Sequence, residues 1–474
     1  MMFREQLSQL PLSPVADHAQ RFFTGDHWQD GRQWIGPRPS PDDAGATDAW
    51  AEIKRTFVSR NVVREVVERL VGAVTSLVQW RVTTDQPSRA TDAAMREMEQ
   101  GLLDWWERHN LDVVVLHVVA RLALMQRVPV RLVVVQDDRP VMDRIMVDLP
   151  APTVAGIIHD DRKQPMSVYE PDDTYSEVSQ VLTDGTTSFT VRTRQRETER
   201  VDTAILDLRG RLLLYDATVV TPYVTESVLA MQRVLNLAYT MLARNVIMGG
   251  FLERVLLNAQ LPGRWVTNPD GGRRFVPEPL RFGAGAVVAL QGAEIRDDTN
   301  TLTGYANPSI LYRDPVPVDT FRDTIALAYR GILEETGQLH ALLSGDAVAS
   351  GVARQQATAD FLSRCTIYAR ALERLIIWLL ETVWWLACAL DGRSAVPYRD
   401  LRVAATVTPT VGVTDQDIAA LVRLVDAGLM SRETALARLG IADTDAELQR
   451  IAMERDAQAT LPDRVLAAFN AGRV

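Results

Sequence analysis

Lysine is almost missing from this 474-residue chain: it occurs only at Lys54 and Lys163, so nearly all of its basic residues are arginine. No G-x-x-x-x-G-K-[ST] run occurs and neither lysine stands in a Gly-rich loop, which removes the phosphate cradle of a P-loop ATPase. Cysteine is equally scarce. Cys365 and Cys388 lie too far apart along one expected helix to bridge within it, and a reducing compartment fits. Long apolar runs are also lacking. The stretch from Leu375 to Leu390 falls short of the ~20 residues that span a bilayer and contains Glu381, so a buried helix is expected there, with no membrane partner. The opening residues carry no basic-then-apolar leader, and folding is expected to begin in cytoplasm.

Further absences narrow the chemistry. The six histidines, His18, His27, His109, His117, His159 and His340, show no H-x-x-x-H or Cys/His ligand spacing, so no metal site is expected. Gly283-Ala-Gly285 lacks the third glycine of a dinucleotide fingerprint, and no cofactor is expected. The acidic pairs Asp137-Asp138, Asp160-Asp161, Asp172-Asp173 and Asp297-Asp298 offer the only hint of a metal-dependent nuclease, against the plainer reading of solvated turns. Trp378, Trp384 and Trp385 sit in an apolar context that favours packing over base stacking. A net charge of -10 argues against a surface that grips nucleic acid, since such binding rests on neutralised phosphates.

What is present reads as an α+β chain, mainly helical. Residues 15 to 50 read as an irregular arm whose Phe22, Phe23, Trp28 and Trp34 could clamp a neighbour. Helical spacing runs from Asp48 to about Leu77 and again from Thr91 to Arg108. An apolar helical stretch after residue 111 precedes strand-like runs at Val128 to Val135, Ser188 to Thr193, Ala204 to Leu208 and Leu212 to Tyr215. Leu401 to Val407 reads as a strand returning to the same sheet. Between them, 226–248 and 319–341 form two helical patterns of similar length around a Gly/Pro-rich insert, with Asp319 placed to cap the second. Within the insert, Val287 to Leu290 reads as a strand.

The first of these helices is apolar over most of its circumference: one row holds Val228, Met231, Leu235, Ala238, Leu242 and Asn245, and a second flank holds Val234, Leu237, Met241 and Met248. Only Gln232, Asn236, Thr240 and Arg244 form a polar stripe. Such a helix must be enclosed on several sides, inside a core or between copies of itself. After an interrupted stretch at 343–351, three-four spacing from Leu362 to Leu390 predicts a helix over about 354–390, stopped by Gly392. The tail from Asp415 reads as short helices, with breaks at Gly428 and Gly440, a cap at Ser431 and a capping box at Thr444 and Glu447.

Several segments resemble portal proteins of tailed bacteriophages, in the right order along most of the chain. They are Arg21-Phe-Phe-Thr-Gly-Asp-His27, Phe57-Val-Ser-Arg-Asn61, Pro308-Ser-Ile-Leu-Tyr-Arg-Asp-Pro315, Phe321-Arg-Asp-Thr324, Gly337-Gln-Leu-His340, Ser350-Gly-Val-Ala-Arg-Gln-Gln-Ala357 and Asp426-Ala-Gly-Leu-Met-Ser-Arg-Glu-Thr-Ala-Leu436. The resemblance implies a portal-type fold: a wing with an N-terminal arm (1–225), stem helices (226–253 and 317–342) around a clip (254–316), a tunnel loop (343–353), the wing's long helix and returning strand (354–412), and a crown (413–474).

It further implies a ring, usually of twelve subunits, at one capsid vertex of the virion, through which a separate terminase packages double-stranded DNA that is later ejected. A portal has no active site of its own. Its expected partners are further copies of itself, the terminase large subunit, head-completion adaptors, and major capsid and scaffolding proteins. In this mapping Arg264, Arg273, Arg274 and Arg281 are clip residues for docking, and Gln232, Asn236, Thr240 and Arg244 line the channel. Ser344, Gly345, Asp346, Ala347, Val348, Ala349, Ser350 and Gly351 form the DNA-proximal loop. That loop has no basic residue, which favours steric guidance over phosphate gripping. The alternatives are another phage head protein, minor capsid or scaffold, and a metal-dependent DNA-processing enzyme.

Overall fold

The computed structural model describes residues 3–28, 51, 53–84, 89–195, 198–250, 254–260, 263–267, 271–277, 291–312, 316–343, 351–411, 415–438, 444 and 447–453. Helix and strand are mixed throughout. The chain divides into two compact units, the first formed by 1–27, 61–232 and 329–474, the second by 28–60 and 233–328.

In the first unit, helices α1 (Arg4–Ser8) and α2 (Ala16–Thr24) open the chain. The expected irregular arm is therefore partly helical, ended by Gly25 in the left-handed region at φ +95°. Phe22 is buried in its own unit and His27 Nε2 sits 2.9 Å from its carbonyl, so this ring is not left to clamp a neighbour. Trp34 lies outside the described residues. Helix α3 covers Val62–Thr75, capped by Asn61, whose Oδ1 accepts from Arg64 N at 2.9 Å. The expected continuous helix from residue 48 is instead interrupted: residues 51 and 53–55 are helical, the chain from 57 to 60 is not, and Asn61 caps a new start. Val62, Val63, Val66, Val67, Leu70 and Val74 then bury one broad face.

Strand β1 (Val78–Thr84), helix α4 (Arg89–Arg108) and helix α5 (Leu111–Met125) follow. A three-stranded antiparallel sheet takes the order β3 (Ile145–Asp148), β2 (Arg127–Val134), β9 (Leu214–Thr218). A five-stranded meander runs β4 (Ala155–His159), β5 (Pro165–Tyr169), β6 (Tyr175–Val181), β7 (Thr187–Gln195), β8 (Thr198–Leu206). Aspartates make its turns: Asp160 accepts from Arg162 N and Gln164 N, Asp172 from Thr174 N and Asp184 from Thr186 N, all within 3.0 Å. Such self-capped turns give Asp160 and Asp172, from two of the four acidic pairs, a structural role.

The two sheets are tied by a buried ion pair. Arg127 Nη1 lies 3.1 Å from Asp216 Oδ1 and also donates to the Ala155 carbonyl, while Asp216 Oδ2 accepts from Ile157 N at 2.7 Å. A Cβ at Gly156 would meet the Arg127 guanidinium at 2.4 Å, so a side chain there would have to displace the pair.

Helix α6 spans Glu226–Gly250 and α7 spans Val318–Glu335. The unit boundary falls inside both helices. They are unequal, at 25 and 18 residues, because Gly337 at φ +72° and Thr336, whose hydroxyl donates to the Ile332 carbonyl, end α7 early. Asp319 lies in the first turn rather than before it, where its charge still suits the helix dipole. The chain after α7 is fixed by Gln338, whose amide donates to the Val66 carbonyl at 2.7 Å and to the Tyr223 hydroxyl at 2.8 Å.

Helix α8 covers Gly351–Asp391, with Gly392 at φ +65° as its stop. Strand β18 (Leu401–Val407) pairs antiparallel with β1, from Val78 opposite Val407 to Thr84 opposite Leu401. It therefore returns to the ribbon begun by β1 and not to either larger sheet; a lone strand's sequence specifies its faces but not its distant partner. In the tail, α9 (Asp415–Asp426) ends before Gly428 at φ +70°, and Ser431 Oγ caps α10 (Arg432–Arg438) by accepting from Thr434 N at 3.1 Å.

In the second unit the chain between α6 and α7 forms nested antiparallel pairs. Strand β10 (Arg254–Leu257) pairs with β17 (Ser309–Tyr312), β11 (Ala259–Gln260) with β14 (Gln291–Gly292), and β12 (Gly263–Thr267) with β13 (Arg273–Pro277). A further hairpin joins β15 (Glu294–Arg296) to β16 (Leu302–Tyr305). The expected strand at 287–290 lies outside the described residues.

Candidate functional site

The two helices and the clasped insert between them are the most distinctive part of the chain. At the base of the insert, Asn245 closes a two-bond clasp on the second unit: Nδ2 donates to the Val316 carbonyl and Oδ1 accepts from Val316 N, both at 2.8 Å. The β10–β17 ladder continues this closure from Arg254 opposite Tyr312. Asn245 stands in an otherwise apolar row of the helix, and an amide in such a row is the signal that it serves a backbone.

The polar stripe of α6 has an internal task. In the first unit, the fully buried Gln232 accepts from Val62 N at 2.9 Å and Val63 N at 3.1 Å, satisfying donors at the start of α3 that have no helical partner. In the second unit, Asn236 Oδ1 lies 3.4 Å from Arg60 N and Thr240 Oγ1 lies 3.1 Å from Val58 N, both side chains buried. A channel lining requires solvent at the side chain, so these three do not fit that expected role. Arg244, half-buried, stays within reach of solvent.

The apolar residues of the helices divide similarly. Val228, Leu229, Leu235 and Ala238 on α6 are buried. Val234 and Ile247 remain open, as do Val246 at 62% and, on α7, Leu327 at 70%. Met248 has no described side chain.

The expected docking arginines are only partly brought together. Register across the β12–β13 hairpin sets Arg264 opposite Val276 and Arg274 opposite Val266, which puts both arginines on one face of the ribbon. Arg273, opposite Thr267, points to the other face. All three are exposed. Gly263 is required because a Cβ there would lie 2.4 Å from the Phe275 ring. Arg281 lies outside the described residues, as do 344–350 of the expected DNA-proximal loop; Gly351 is the first residue of α8.

Other chemistry candidates resolve into structure. Burial pushes the Cys365 thiol up to about 12 and Cys388 up to about 11, disfavouring the thiolate a nucleophile needs. Trp384 and Trp385 are buried, and Trp378 stacks on Tyr215 with centroids 5.4 Å apart. Among the described residues, no group of three or more His, Cys, Asp and Glu could hold a metal ion. No described helix is long and apolar enough to cross a membrane.

No family profile matches the chain, and no curated protein matches it. Solved structures do. A chain from the virion of a native gene transfer agent particle aligns with 13% identity and a TM-score of 0.37, covering 82% of this chain and 93% of that one. A chain from the neck of the native particle, computed with C12 symmetry, aligns with 14% identity and a TM-score of 0.36, covering 88% of this chain and 99% of that one.

Proposed function

We propose that this chain is one protomer of a portal-type ring, a passive conduit for double-stranded DNA at a capsid vertex and a docking platform for a terminase and head-completion proteins. The carrying observation is the pair of helices around a clasped β-insert, with Val234, Val246, Ile247 and Leu327 left open on them. Such side chains invite cover, and identical copies arranged about an axis supply it repeatedly. The ordered resemblance of the flanking segments points the same way. In this reading α6 and α7 form the stem, the insert the clip, the sheets with α8 and β18 the wing, residues 344–350 the tunnel loop and the tail the crown. Arg264 and Arg274 share the docking face, and no catalytic residue, cofactor or membrane partner is involved.

The acidic net charge lets DNA slide: binding should be weak, indifferent to sequence and strongly salt-sensitive. Electron microscopy with light scattering on the purified chain tests the reading. Rings of closed symmetry are expected; a monodisperse monomer across a range of salt concentrations would defeat it.

A further inference from the structure

In the first unit, the turn at 182–186 and the turn at 207–211 meet the beginning of β18 and one flank of α8. Gly210 N donates to the Gly185 carbonyl at 2.9 Å, and Gly185, Arg209 and Gly210 all take left-handed backbone conformations. Non-glycine residues seldom adopt that region, so Arg209 is held there by its surroundings. Asp184, Asp207, Arg209, Arg211, Trp385 and Arg402 line an open cavity of about 530 Å³.

Three guanidiniums therefore converge, and they are not equivalent. Arg211 pairs with Glu381, whose other oxygen accepts from Val403 N at 2.9 Å. Arg209 lies over the Trp385 ring at 4.9 Å, with its Nε buried and without a hydrogen-bond partner. Arg402 donates one nitrogen to the Arg399 and Leu401 carbonyls. Among the described residues neither Arg209 nor Arg402 forms an ion pair. The rim carboxylates are engaged in their own turns, Asp184 with Thr186 N and Oγ1 and Asp207 with Arg209 N at 3.3 Å. Burial, with help from Arg402 and Arg209, pulls the Arg211 guanidinium down to about 10, a sign that like charges crowd here.

We propose that this cavity binds a phosphate group, with Arg209 and Arg402 contacting its oxygens and Arg211 as a fixed charge behind them. A carboxylate is planar and its two oxygens can be satisfied by a single guanidinium fork. A tetrahedral phosphate presents oxygens in several directions and suits guanidiniums arriving from separate segments. With three arginines facing Glu381, Asp184 and Asp207, the formal charges balance, so recognition is by short hydrogen bonds rather than long-range attraction.

Isothermal titration of the full chain with inorganic phosphate, beside chloride and acetate at matched ionic strength, tests this. Saturable single-site binding of phosphate is expected, weakened at least tenfold in Arg209→Gln and in Arg402→Gln. Circular dichroism and melting in phosphate-free buffer should stay as in the unsubstituted chain. Arg402 is exposed, so its variant keeps the test readable if Arg209→Gln fails to fold. Titration with a short DNA duplex separates the sources: affinity falling in both variants assigns the phosphate to a nucleic-acid backbone, and an unchanged duplex response assigns it to a free ion. Chloride or acetate binding as well as phosphate, or phosphate affinity indifferent to Arg402→Gln, overturns the proposal.

Discussion

Helix α8 and the portion of α6 in the second unit are made of similar material, aliphatic residues interrupted by a few polar ones, yet their surroundings differ. Cys365, Leu372, Ile376, Leu380 and Trp385 follow one another along α8 and are all buried within their own unit. On α6, Leu235 and Ala238 are covered while Val234, Val246 and Ile247 are not. An apolar pattern thus announces that a surface wants cover without saying which chain provides it. The polar residues teach the same point: Glu381 on α8 and Gln232 on α6 both turn inward to backbone donors, at Val403 and at Val62 and Val63.

The sharpest way to break this contrast is to remove volume from the covered helix. Leu372→Ala should cost about 2–5 kcal/mol, read as a lower urea midpoint, because a fully enclosed leucine leaves a cavity. A loss under about 1 kcal/mol would mean that α8 is not packed as described. Gln232→Ala comes next, at about 1–3 kcal/mol, since two buried N–H donors lose their acceptor. Double substitution of Val246 and Leu327 by serine should leave the lone chain's stability within about 0.5 kcal/mol. It should at the same time reduce ring formation in light scattering. Full assembly in that variant would place the covering surface elsewhere.

Acid titration gives the smallest effect, and it spans both units. Hydrogen bonds to Thr174, to Thr186 and to Thr299 hold the carboxyls of Asp172, Asp184 and Asp297 below their ordinary value near 3.8. Groups with depressed folded values stabilise their turns above the unfolded value and lose that contribution as pH falls through the folded one. Protection of the Thr174, Thr186 and Thr299 amides, taken relative to intrinsic exchange at each pH, should therefore hold down to about pH 4 and fall below it. Loss of that protection already at pH 5 to 6 would contradict the turn geometry.

Much of the architecture was legible because strong periodicity met clear stops. Helix α8 with Gly392, strand β18 to the residue, and the helices around an insert all stood out this way. Strand partners were not legible, since β18 pairs with a segment more than three hundred positions earlier. The inward task of Gln232, Asn236 and Thr240 was not legible, because a glutamine facing water and one facing a helix start occupy the same sequence pattern. Arg273 and Arg274 could have been separated beforehand, as neighbours on a strand point to opposite faces. The arginine cavity had no linear signature: Arg209 and Arg211 sat in an ordinary charged turn, and Arg402 comes from the far end of the chain.

The ladder between β10 and β17, with the Asn245 clasp beneath it, means that the insert's ends are held together before its distal hairpins are considered. Doubling the length of a flexible loop beyond such a closure adds only about 0.6 kcal/mol of chain entropy. The hairpins can therefore be lengthened, shortened or exchanged for others while the rods below keep their places, which makes this the region where one scaffold can be refitted to different molecular neighbours.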